Sequence, residues 1–99
     1  MESRIRFDWR DLELFVAVAE TGSIARAAER SHTVASAVSK RLADLERELA
    51  TPLLERHSKG VGLTAAGEAL LGRARSLIEQ ARQVEQEVRG YGAGLSGLV

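Results

Sequence analysis

Cysteine is absent from this 99-residue chain, which excludes a disulfide framework and a thiolate metal site. Proline occurs once and aromatic residues make up only 4%, so helices packed by Leu, Val and Ala are expected rather than a sheet sandwich. No sign of charge dominates: 14 basic and 14 acidic residues cancel. Arg4, Arg6 and Arg10 are not followed by an apolar run long enough for a secretory signal or a membrane span. These absences predict one small, mainly α-helical domain with no large enzyme cleft, and a cytoplasmic location.

What charge there is lies unevenly. Ser31 to Ala43 contains no acid but holds Lys40 and Arg41, and Arg56 to Gly67 contains none but holds Arg56 and Lys59. Two locally positive surfaces can therefore exist on a neutral chain.

Asp8 is placed to cap a first helix, along which Leu12, Phe15, Val16 and Ala19 form an apolar stripe ending at Thr21 and Gly22. Ser23 caps a short second helix, Ile24 to Arg30, whose Ala25, Ala27 and Ala28 allow close approach. After a turn at Ser31–His32–Thr33, Thr33 is expected to cap a third helix from about Val34 to Leu49, with Val38, Leu42, Leu45 and Leu49 toward the core. Pro52 interrupts the pattern. Leu53 and Leu54 then read as a brief strand, Gly60 to Gly62 as a turn, and Val61 and Leu63 as its return, making a small hairpin. Thr64 caps a last helix to about Arg89, in which Leu70, Ala74, Leu77, Ala81, Val84 and Val88 follow the alternating spacing of a coiled-coil seam. A helix this long outruns so small a domain, and a second copy of the chain is the simplest partner for its stripe.

A short Ala-rich helix, a turn and a helix with a basic polar face form a helix-turn-helix, whose last helix enters the DNA major groove. The residues also carry a more specific likeness. Phe15–Glu20, Gly22-Ser23-Ile24, Ala27-Ala28, Ala37-Val38-Ser39, Leu45-Glu46, Pro52–Arg56 and Leu63-Thr64-x-x-Gly67 resemble, in order and spacing, the LysR-type transcription regulators.

That resemblance implies a mainly α winged helix-turn-helix with a short β-hairpin wing and a long C-terminal dimerisation (linker) helix. It divides the chain into a DNA-binding domain at 8–64, with the helix-turn-helix at about 24–43, a linker helix at 65–90, and a hinge at 91–99 toward a missing effector domain. The implied partners are double-stranded DNA, as an interrupted palindrome upstream of regulated genes, and a second copy of the chain, with a tetramer for the full-length protein. A small-molecule effector would act only through the missing domain.

Candidate DNA contacts are the hydroxyls of Ser23, Thr33 and Thr64, the recognition-helix residues Ala35, Ser36, Ser39, Lys40 and Arg41, and Arg56, His57 and Lys59 of the wing. Arg41 has two uses open, a DNA contact or an internal ion pair. The family often begins its recognition helix with Ser-Gln-Pro where this chain has Val34-Ala35-Ser36, leaving Ser36, Ser39 and Lys40 as the foremost groove-facing groups. Leu70, Ala74, Leu77, Ala81, Val84 and Val88 are the candidate dimerisation residues.

No catalytic residues, cofactor or metal are expected. His32 and His57 lie in separate loops without clustered carboxylates. Gly92-Ala93-Gly94-Leu95-Ser96-Gly97 matches G-x-G-x-x-G in letters only, since it follows a helix rather than a strand. Trp9 is expected to pack beneath the helix-turn-helix. The competing reading is a helical protein-interaction module that dimerises through the C-terminal helix, with an incidental basic face.

Overall fold

The computed structural model describes residues 5–93. Its elements are α1 (Trp9–Thr21), α2 (Ile24–Arg30), α3 (Ala35–Leu49), β1 (Leu54–His57), β2 (Gly60–Leu63) and α4 (Ala65–Ala93).

Helix α1 opens on a reciprocal cap. The Asp11 amide donates to Asp8 Oδ1 at 3.0 Å and the Asp8 amide donates to Asp11 Oδ2 at 2.9 Å, satisfying two N–H groups that the helix itself cannot. It ends at Gly22, whose φ of 68° lets its N–H turn back to the Val18 carbonyl. Between these ends Leu12 and the run Leu14 to Val18 are buried, so α1 is the central helix of the core. Ser23 caps α2 by accepting from the Arg26 amide at 3.1 Å, and the small side chains of Ala27 and Ala28 bring α2 against its neighbours. Phe15, Leu14, Leu45, Val18 and Val38 are the largest fully buried side chains.

The start of α3 differs from expectation. Thr33 is not its cap: its backbone N–H closes the preceding turn on the Ala28 carbonyl, and the N-cap position falls to Val34, which has no side chain able to accept. His32 turns the corner at a φ of 58°. At the other end Leu49 is exposed rather than in the core, because the chain leaves the helix at once through Ala50.

The strand begins at Leu54, not Leu53, which is buried in the core. The Glu46 carboxylate accepts from the Leu53 and Leu54 amides at 2.7 and 3.1 Å and so ties the wing to α3. The strands pair antiparallel from Leu54↔Leu63 to His57↔Gly60, so the hairpin turns at Ser58–Lys59 and Gly60 to Gly62 lie in β2. Val61 N–H donates to the Gly22 carbonyl at 3.0 Å, docking the wing on the α1–α2 turn.

Thr64 caps α4 as expected, accepting from the Gly67 amide at 3.0 Å. The apolar stripe of α4 is divided. Leu70 and Ala74, read as part of a seam between copies, pack instead with Leu71 and Ile78 against Leu12, Val16 and Phe7, and Ala74 is fully buried there. Leu77, Ala81, Val84 and Val88 remain exposed. The helix runs through Ala93, three residues into the expected hinge, because Tyr91, Gly92 and Ala93 continue it; residues 94–99 of that hinge, and the end of the G-x-G-x-x-G match, lie outside the described residues. Trp9 is 42% exposed rather than packed underneath, and shares a shallow groove with Ile78, Ala81 and Val84.

Candidate nucleic-acid interface

With Val38, Leu42 and Leu45 turned inward, α3 presents Ala35, Ser36 and Lys40 to solvent, with Ser39 half-buried beside them. No acid occurs on this face before Asp44. Lys40 reaches back to Asp44 at 3.3 Å, an i,i+4 pair in which the lysine side chain is 77% exposed, and Arg47 pairs with the same carboxylate. Exposed pairs of this kind are worth about 0–1 kcal/mol and yield readily to a competing phosphate.

Arg41 is used differently. Its guanidinium bridges Asp11 at 2.9 Å and Asp8 at 3.2 Å, clamping α3 to the first turn of α1. The Asp8 carboxyl is held below the usual carboxylate range by the Asp11 amide first and by Arg41 second, and the two aspartates push Arg41 above its ordinary value. Of the two uses open to Arg41, the internal ion pair is the one seen.

On the wing Arg56, His57 and Lys59 are exposed, and among the described residues neither Arg56 nor Lys59 has an ion-pair partner. The wing rests on Gly22, which directly precedes the capped start of α2 at Ser23. The Thr64 hydroxyl donates to the Pro52 carbonyl at 2.8 Å while accepting from Gly67, so it is engaged in holding the wing base to α4. Thr33 is half-buried in the helix-turn-helix corner.

One group escaped the sequence reading. Glu20 accepts from Arg30 of α2 and, at 3.0 Å, from Arg75 of α4, and the latter is the only ion pair joining α4 to the rest of the described residues. Partners 10 and 55 residues away leave no periodic signal by which to find it. The Arg30 hydrogen bond first, and the Arg75 hydrogen bond second, hold the Glu20 carboxyl below its ordinary 4.5. A carboxyl depressed on folding stabilises fully above its unfolded value, and that contribution is lost as pH falls through the folded value. Glu20→Gln is therefore expected to be less stable than the parent at pH 7, by less than about 1 kcal/mol for so accessible a group, and to match it once the pH has fallen through the folded Glu20 value. Urea midpoints at pH 7 and below that value test this; an equal gap at both would remove Glu20 from the acid limb.

Three packed helices, the third showing its polar N-terminal half, with a hairpin docked beside them, define a winged helix-turn-helix module. The family model described as bacterial regulatory helix-turn-helix protein, lysR family, matches residues 9–68, and the chain belongs to that family. It is 41% identical over 90 residues to an HTH-type transcriptional regulator in the ibpB-leuC intergenic region of Azotobacter vinelandii, covering 91% of this chain and 62% of that protein. It is 39% identical over 92 residues to the nitrogen assimilation regulatory protein nac of Escherichia coli (strain K12), covering 93% of this chain and 30% of the relative. The chain thus spans only part of the length of either.

Among solved structures, the CbnR_DBD-DNA complex superposes with a TM-score of 0.80 at 40% identity, over 84% of this chain and 95% of that one. The BenM_DBD complex with catB site 1 DNA gives a TM-score of 0.86 at 31% identity, over 89% and 98%. The fold is that of the LysR-type DNA-binding domains. Among the described residues no three metal-ligating side chains gather, and no helix is long and apolar enough to cross a membrane.

Proposed function

We propose that this chain binds double-stranded DNA sequence-specifically as a homodimer, regulating transcription from the cytoplasm. The observation that carries the reading is the acid-free first half of α3, with Ala35, Ser36 and Lys40 exposed and Ser39 half-buried, beside a wing whose Arg56 and Lys59 have no ion-pair partner among the described residues. In this reading Lys40 leaves Asp44 for a base edge or phosphate in the major groove, and the wing cations lie along the backbone. Residues 8–64 form the reading unit and α4 the linker helix. Its exposed Leu77, Ala81, Val84 and Val88, with Trp9 beside them, form the surface that a second copy covers. The target is an interrupted palindrome matched to the two-fold axis of the dimer.

A gel-shift titration of palindromic against random duplex tests the reading. Lys40→Ala is expected to cost about 1–3 kcal/mol and to change sequence preference, whereas Lys59→Ala weakens all sequences alike and lowers the salt slope by about 1. Equal effects of the two substitutions on every sequence would overturn the division between groove and wing.

A further inference from the structure

We infer that the exposed apolar tip of α3, Val34 with Ala35, reads the 5-methyl group of thymine in the major groove; the inference rests on the DNA-binding reading above. Val34 breaks two local rules at once. It is 62% exposed, and it occupies the N-cap of α3 with no side-chain hydrogen bond, although its extended backbone, φ −108° and ψ 155°, is that of an ordinary cap. The helices on either side keep the rule: Asp8 caps α1, Ser23 caps α2 and Thr64 caps α4. Local rules broken without compensation inside the chain mark a surface shaped for a partner.

An isolated exposed valine would need no explanation. This one is continuous with the proposed interface: it precedes Ala35 and Ser36 at the start of the helix that enters the groove, five and six residues before Ser39 and Lys40. Chemistry then selects the occupant. Adenine, guanine and cytosine present hydrogen-bonding groups in the major groove, which a tip of Val and Ala side chains can neither donate to nor accept from. Thymine alone adds a methyl group that such a tip can cover. Ser36, Ser39 and Lys40 remain for hydrogen bonds to neighbouring bases.

The test begins by selecting the sequence that the chain binds from random duplex, then replaces each thymine of one half-site singly by deoxyuridine, which removes only the methyl. Fluorescence anisotropy is expected to show about a three- to tenfold loss at one or two positions. At those positions Val34→Ser and Ala35→Ser should bind the thymine and uracil duplexes within about twofold of each other. Val34→Thr, which keeps a methyl and supplies the missing cap, should retain the discrimination. Val34→Ser also fills the empty cap, so its unfolding midpoint is expected to equal or exceed the parent's, and lost discrimination cannot be ascribed to misfolding. A half-site without thymine, a parent insensitive to every methyl, or full sensitivity retained in both serine variants would overturn the inference while leaving specific DNA binding intact. Failure to select any sequence would overturn the DNA-binding reading, and this inference with it.

Discussion

Gly67→Ala is expected to lose about 3 kcal/mol or more of folding free energy, a large part of what a domain of this size possesses. A Cβ at Gly67 would stand 2.2 Å from the Leu53 carbonyl oxygen and 3.2 Å from the Leu63 Cβ. A flexible side chain could move aside; this oxygen cannot do so cheaply. It accepts from the Thr64 amide at 3.0 Å, the neighbouring Pro52 carbonyl accepts from the Thr64 hydroxyl, and the Leu53 amide is itself held by Glu46. The end of α3, the base of the wing and the start of α4 all meet at this point, so relieving the clash means undoing several hydrogen bonds together. Gly72 is the control. It sits in the same helix with open space where its Cβ would be, and Gly72→Ala is expected to gain about 0.5–1 kcal/mol from helix propensity. Urea unfolding followed by circular dichroism compares the two, and a Gly67→Ala protein within 1 kcal/mol of the parent would mean that the junction is softer than its geometry implies.

The second large effect is expected at the far end of α4. Leu77→Glu combined with Val84→Glu should convert dimers to monomers in light scattering and reduce affinity for a palindromic duplex by about a hundredfold or more, since two half-sites are then bound independently. Leu77 is 47% and Val84 60% exposed, so glutamate at either position meets water in the isolated chain, and glutamate is a good helix former. The helical signal should therefore be unchanged. A charged pair inserted into a covered apolar seam, by contrast, is desolvated without a partner. A persistent dimer would place the contact elsewhere than on this face of α4, including the groove that Val84 shares with Trp9.

The division of the α4 stripe shows where sequence reading stops. The alternating spacing from Leu70 to Val88 correctly located one apolar face, because periodicity is a property of the helix alone. Which part of that face the domain covers for itself depends on how far α1 extends beside it, and it is Leu12 and Val16 that claim Leu70 and Ala74. The start of α3 is a similar case. A threonine followed by a polar-faced helix reads as a cap, but the corner through His32 draws the Thr33 amide back to Ala28 and moves the helix start one residue on, leaving Val34 exposed.

By itself the sequence determined what depends on near neighbours: the capped starts of α1, α2 and α4, the apolar faces of the helices, and the acid-free stretch of α3, together with the ordered motifs of the family. Each is set by residues within a turn or two of one another, so composition and spacing carry the information. Only the tertiary structure decided which charged groups are engaged and which are left for a partner. Arg41 meets Asp8 and Asp11 across 33 and 30 residues, and Glu20 meets Arg75 across 55. Nothing local distinguishes those arginines from Arg56, which has no such partner among the described residues; the packing of α3 and α4 on α1 brings opposite charges together in the first two cases and leaves the wing open to solvent in the third.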